Sequence, residues 1–276
     1  MSEPTPHYLY KRHSVAVRVM HWVNAVAVLA LLMSGLQIFN AHPALYWGKS
    51  SYTGADAAFA ISARRAADGT YEGVTRIGGL EFTTTHVLGV SRNGDRVEVR
   101  AFPAWATVPG DRWLAMGRRW HFFFAWLFVV NGACYVLHGI VTRRFRNHLL
   151  PTRRDWRSTW STIKDHVLLR HPKGEAARRY NLLQKLAYLG VMYVALPVLL
   201  LMGLAMSPWF DTVLTGWVDL VGGRQSARTL HFIAAALLVA FTLVHLFEVV
   251  ISGVWNNLRS MITGNYKIEP QPGEER

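Results

Sequence analysis

Four long apolar runs mark the chain, roughly Val15–Phe39, Trp120–Thr142, Leu186–Met206 and Leu230–Ser252. Each reaches the ~20 residues that a helix needs to cross a ~30 Å hydrocarbon core. The first run is too long for a cleavable leader, and no small-residue cleavage site follows it before Asn40-Ala41-His42-Pro43, so it reads as a retained span. The pattern predicts an all-α membrane protein, a four-transmembrane-helix bundle. Pro197 is expected to kink the third span. Between spans one and two, residues 40–119 are long for a connector. Thr83–Ser91 and Arg96–Phe102 are rich in β-formers around Arg92-Asn93-Gly94-Asp95, and Asn-Gly favours a tight hairpin turn. A small β-containing outer loop follows. From Thr152 to Arg170 the large apolar residues Trp156, Trp160, Ile163 and Val167 fall at i, i+4, i+7 and i+11, one face of an amphipathic helix. With Arg153, Arg157 and Lys164 beside it, that helix is expected to lie at the inner membrane interface. Residues 1–264 then form one membrane domain with 40–119 as a periplasmic insertion, and 265–276 form a cytoplasmic tail.

Charge adds orientation. The formal net charge is +13 with only 17% charged residues, a low share for a soluble domain. Residues 143–185 hold twelve basic and three acidic side chains, whereas 40–119 hold ten and seven. By the positive-inside rule the 143–185 loop is cytoplasmic. Both termini are then cytoplasmic, and 40–119 and 207–229 face the periplasm. The basic excess is a topology signal, not a nucleic-acid footprint. The single Cys134 excludes an internal disulfide, a multi-thiolate zinc site and a four-thiolate iron–sulfur cluster.

Five histidines fall within the spans: His21, His121, His138, His231 and His245. Ionisable groups there are costly and are functional candidates by default. His231 and His245 are fourteen residues apart, a rotation about 40° short of four turns and a rise of about 21 Å. One helix therefore offers two ligands on nearly one face, near opposite membrane surfaces. Two metal centres stacked across a bilayer need this arrangement, and imidazole suits the two axial positions of haem iron. Matching depths pair His121 with His231 on the outer side and His21 with His245 on the inner side. His138 points about 100° away from the face used by His121, so His21 is favoured over it. Arg18, Arg118 and Arg228 each precede a proposed ligand by three residues. They share its face one turn nearer the interface, where they could pair with haem propionates. Gly35, Gly132, Gly139, Gly190 and Gly203 allow close approach of helices or of a flat macrocycle.

The segments Arg18-Val-Met-His21-Trp22, Arg118-Arg-Trp-His121-Phe-Phe-Phe-Ala-Trp126 and Arg228-Thr-Leu-His231, with His245 following, resemble the four-helix di-haem cytochromes b of the bacterial cytochrome b561 and nickel-hydrogenase group. The resemblance covers most of the chain and implies two haem b, with His21, His121, His231 and His245 as axial ligands. The run from Val254-Trp-Asn-Asn to Gly264 looks like the tail of a branch serving periplasmic molybdopterin-dependent oxidoreductases. The long insertion departs from compact members and weakens any partner interface copied from them. The expected function is an inner-membrane electron relay between a periplasmic redox partner, with molybdopterin dependence implied by that branch, and quinone. His138, Glu248 and Tyr10 are candidates for the quinone or proton side. The alternatives are a stand-alone superoxide or quinone oxidoreductase, a His-lined metal or proton transporter, and a cofactor-free anchor. Transporters usually show inverted repeats and broken helices, which this sequence lacks.

Overall fold

The computed structural model describes residues 7–52, 55–143, 145, 149–170 and 180–268. Arg144, Arg146, Arg178 and Arg179 of the basic loop, residues 269–276 and the side chain of Val167 lie outside the described set. Four helices are long and apolar enough to cross a membrane. They are α1 (Val15–Phe39), α2 (Leu114–Val141), the helix Leu182–Ala205 and α9 (Arg224–Ile251). Their outward apolar side chains, among them Leu29, Phe123, Trp126, Leu243 and Phe247, are uncovered by protein. Such surface is stable only when lipid covers it. Three spans begin a turn or more before the apolar runs do, at Leu114, Leu182 and Arg224. Arg118, Arg119 and Arg228 sit in the second turns of α2 and α9, ahead of the apolar runs, where hydropathy alone does not register helix.

The third span consists of α5 (Leu182–Gly190) and α6 (Leu196–Ala205), joined through a π-helical turn at Val191–Ala195. Pro197 has no N–H, and its ring crowds the carbonyl four residues back. The wider turn just before Pro197 absorbs both demands. Asn181 caps α5 reciprocally with Gln184.

The insertion is richer in strand than the sequence pattern implied. After β1 (Tyr8–Lys11) come β2 (Ala44–Leu45), β3 (Phe59–Arg65), β4 (Tyr71–Ile77) and β5 (Leu80–Thr83), the last four forming one antiparallel sheet in chain order. β6 (Gly89–Asn93) and β7 (Arg96–Arg100) form the hairpin expected around Asn93-Gly94. The strand expected from Thr83 starts only at Gly89, because Thr84 to Leu88 turn back on themselves through Val87 N–H and Leu88 N–H to the Thr84 carbonyl. β4 and β6 approach at two glycines. A Cβ on Gly73 would lie 2.0 Å from the Leu88 carbonyl oxygen, and one on Gly89 would lie 2.4 Å from that of Ser62. Phe39, Leu45, Ile61 and Ala101 form the buried core beneath, with Phe59, Phe102 and Phe232 against it.

The amphipathic segment is two short helices, α3 (Arg153–Arg157) and α4 (Thr159–Val167), broken at Ser158. Trp156 and Trp160 are exposed. Thr152 and Asp155 make a capping box, and Asp155 Oδ2 also accepts from Lys185 Nζ at 2.8 Å. Burial pushes the Asp155 carboxyl up, but the bonds from Lys185 and Thr152 outweigh it and hold it at about 2, below its ordinary 3.8. Its stabilisation is therefore present above the unfolded pKa and lost as pH falls through about 2. An Asp155→Asn chain should show at pH 7 the amide exchange in 153–167 that the native chain shows only near pH 2, after correction for intrinsic rates. Equal protection of the two chains at pH 7 would refute this.

α7 (Pro208–Val213) and α8 (Trp217–Leu220) precede α9. After α9, Gly253 at φ 104° turns the chain into α10 (Val254–Thr263), and Gly264 at φ 88° ends it. β8 (Asn265–Ile268) then pairs antiparallel with β1. The first four residues of the expected cytoplasmic tail from 265 thus lie in a sheet.

The chain divides into two compact units, each taking part of every long helix. One holds residues 1–24, 131–196 and 236–276; the other holds 25–130 and 197–235.

Candidate paired-histidine sites

Each unit contains one histidine pair. In the unit with the insertion, α2 presents His121 and α9 presents His231, their ring centroids 6.2 Å apart and their planes at 64°. His121 Nδ1 is 3.1 Å from Ser34 Oγ on α1, and His231 Nδ1 is 2.8 Å from the Leu199 carbonyl on α6. A glycine flanks each ring. A Cβ on Gly35 or on Gly203 would lie 3.5 Å from Cε1 of His121 or of His231. Alanine fits there, and a longer side chain would occupy the place of the ring. Of the candidate glycines, Gly35 and Gly203 stand beside rings. Gly139 instead receives the ring of Phe145, while Gly132 and Gly190 face open space.

In the other unit, α1 presents His21 and α9 presents His245, with centroids 6.4 Å apart and planes at 59°. Trp22 meets the edge of His21, and Phe241 stacks on His245. His21 Nδ1 is buried without a hydrogen-bond partner. Asn131 on α2 donates to the Met20 carbonyl at 2.8 Å and to Asn24 Oδ1 at 2.7 Å, joining α1 to α2 one residue before His21.

The arginines do more than the sequence pattern indicated. Arg228 donates to the carbonyls of His42 and Ala44 and lies over the ring of Phe39. It thereby ties the start of the insertion to the first turns of α9, assisted by Thr229 Oγ1 donating to the Tyr46 carbonyl. Burial, then the charge of Arg228, lowers the pKa of His42 below its ordinary 6.5. Arg18 donates to the Ile262 carbonyl, and Trp22 Nε1 donates to that of Met261 at 3.1 Å. These two bonds hold α10 against the start of α1. The Arg18 Nε is buried without a partner. Arg118 is exposed, 5.9 Å from the ring of Phe122.

His138 is half-buried near the end of α2, and the ring contacts of His245 are with His21 and Phe241. Glu248 Oε1 is 3.7 Å from His166 Nε2 on α4. Tyr10 lies opposite Tyr266 in the β1–β8 ladder.

Two tests bear on what the pairs could hold. Imidazoles bonded at about 2 Å on opposite sides of one metal have centroids about 6 Å apart, close to the separations in both pairs. Among the described residues no group of three His, Cys, Asp or Glu could hold a metal ion. A bare ion usually takes four or more ligands. Two imidazoles suffice when a porphyrin supplies the other four nitrogens. The donor set therefore fits haem.

Ser34, Asn131 and the Leu199 carbonyl escaped the sequence analysis. Ser34 and Asn131 are single polar residues in apolar runs, without periodicity to single them out, and a carbonyl carries no sequence signal at all.

The family described as prokaryotic cytochrome b561 matches residues 12–264. The chain is also 28% identical over 261 residues to YedZ1 of Azospira oryzae, provisionally named a protein-methionine-sulfoxide reductase subunit, covering 93% of this chain and 98% of that one. No solved structure matches at a significant level.

Proposed function

The chain belongs to the prokaryotic cytochrome b561 family, and from that premise we propose that it is a di-haem electron relay between quinone and a periplasmic oxidoreductase. The observation that carries the reading is the pair of histidine couples, each at the separation of two axial imidazoles and both sharing α9. Bound haem b would supply a one-electron iron couple.

His121 and His231 hold one haem, and His21 and His245 hold the other. The Leu199 carbonyl accepts the Nδ1 proton of His231 and so leaves Nε2 to bind iron. Gly203 keeps the approach to that carbonyl open. Arg18, Arg118 and Arg228 carry guanidinium groups at the helix ends, where the nearby propionates ionise. Arg228 keeps spare N–H groups for this beyond its bonds to the insertion. Both termini lie in the cytoplasm, and α3 and α4 set Trp156 and Trp160 into the inner interface. On the quinone side Glu248, with His166 beside it, and His138 hold and pass the protons that quinone chemistry requires. The likeness to a sulfoxide reductase subunit supports a periplasmic, molybdopterin-dependent partner, with the insertion as its docking face.

The test is direct. The full chain purified in detergent should carry two haems b by pyridine haemochrome and should be reduced by a quinol analogue. A colourless protein would end the reading.

A further inference from the structure

The two histidine pairs differ in what holds their rings. At His121 the partners are a serine hydroxyl and, beside it, the Leu31 carbonyl. Ser34 is wholly buried, and its Oγ donates to the Ala30 carbonyl at 2.6 Å. Serine inside a helix commonly bonds the carbonyl one turn back, and doing so commits its single proton. The oxygen that faces His121 Nδ1 at 3.1 Å is therefore an acceptor, and Nδ1 carries the hydrogen. A neutral imidazole protonated at Nδ1 has its free lone pair on Nε2. The next residue, Gly35, lets the ring reach this acceptor, since a side chain longer than alanine there would fill the place of Cε1. His21 has no such support, because its Nδ1 is buried and unpartnered.

We infer that Ser34 is a positioning residue that sets the tautomer, the orientation and the donor strength of His121. This rests on the reading that His121 and His231 are axial ligands, and it deepens that reading. An acceptor on the Nδ1 proton makes the ring a stronger donor through Nε2 and favours the oxidised iron. With Ser34→Ala the Nδ1 proton loses the serine hydroxyl and is left with the Leu31 carbonyl alone, and the centre held by His121 becomes easier to reduce. The hydroxyl of Ser34→Thr keeps the acceptor.

The experiment is a potentiometric titration of the purified full chain, followed in the visible haem bands, with haem counted in parallel. The expected result is two haems in the native and Ser34→Ala chains. One midpoint potential moves upward in Ser34→Ala, the other is unchanged, and Ser34→Thr returns the first towards its native value. Loss of one haem in Ser34→Ala with recovery in Ser34→Thr also supports the assignment. Both midpoints unmoved, or both moved together, would overturn it. Fewer than two haems in the native chain would instead defeat the ligand reading beneath it, which is a distinguishable result.

Discussion

Replacing His231 with alanine should leave one haem b per chain where the native protein carries two. The side chain meets His121 at 6.2 Å between centroids and is fixed by the Leu199 carbonyl. No third histidine, cysteine or carboxylate stands with the pair among the described residues. Once His231 is gone, His121 alone offers an axial bond, and a macrocycle held on one side is lost on purification. His245→Ala should remove the other haem, and the double variant should be colourless. His138→Ala should keep both, because the ring neighbour of His245 from another helix is His21. Pyridine haemochrome counts decide it. Two haems retained in His231→Ala, or one lost in His138→Ala, would break the pairing.

The largest effect on stability is expected at Gly73→Ala. The new methyl would stand 2.0 Å from the Leu88 carbonyl oxygen, and backbone cannot swing aside as a flexible side chain does. Gly89 faces it from β6 at φ 81°, and its own Cβ would come within 2.9 Å of Gly73 Cα. β4 cannot retreat without breaking the ladder from Gly73 to Ala63 in β3, and β6 cannot retreat without straining that from Gly89 to Arg100 in β7. The cost should reach at least about 3 kcal/mol, the upper part of the overpacking range. Protease cleavage within 55–113 should accelerate at least about tenfold, which corresponds to only 1.4 kcal/mol. An unchanged half-life would show that the two strands are not in contact as described.

The spans were legible because lipid demands long unbroken apolar runs, and α1 begins and ends where its run does. Helix starts were less legible. Arg118 and Arg228 are each the fifth residue of their helix and precede the apolar run. The strands Phe59–Arg65 and Tyr71–Ile77 escaped notice because burial in the second does not alternate and in the first alternates only from Ile61 to Arg64. Val74 and Thr75 are neighbours and both buried, the first by sheet contacts and the second by a bond to Thr84 Oγ1 at 2.9 Å. Of the site, the histidines were readable from helical spacing, since fourteen residues on one helix is a local quantity. The groups that hold their rings were not, because Ser34 finds His121 across 87 residues. Arg18 and Arg228 were readable by position only. Their bonds to Ile262 and to His42 depend on where α10 and the insertion come to rest.

The β1–β8 ladder imposes a rule of parity. Tyr8 pairs with Ile268, and Lys11 pairs with Asn265, so the strand before the first crossing and the strand after the last must occupy one side of the membrane. A chain that starts and finishes on one side crosses an even number of times. Variants of this architecture that keep the ladder can therefore gain or shed spans only two at a time. Insertion of a single extra span anywhere between Val15 and Ile251 would put Tyr8–Lys11 and Asn265–Ile268 on opposite sides and break the ladder.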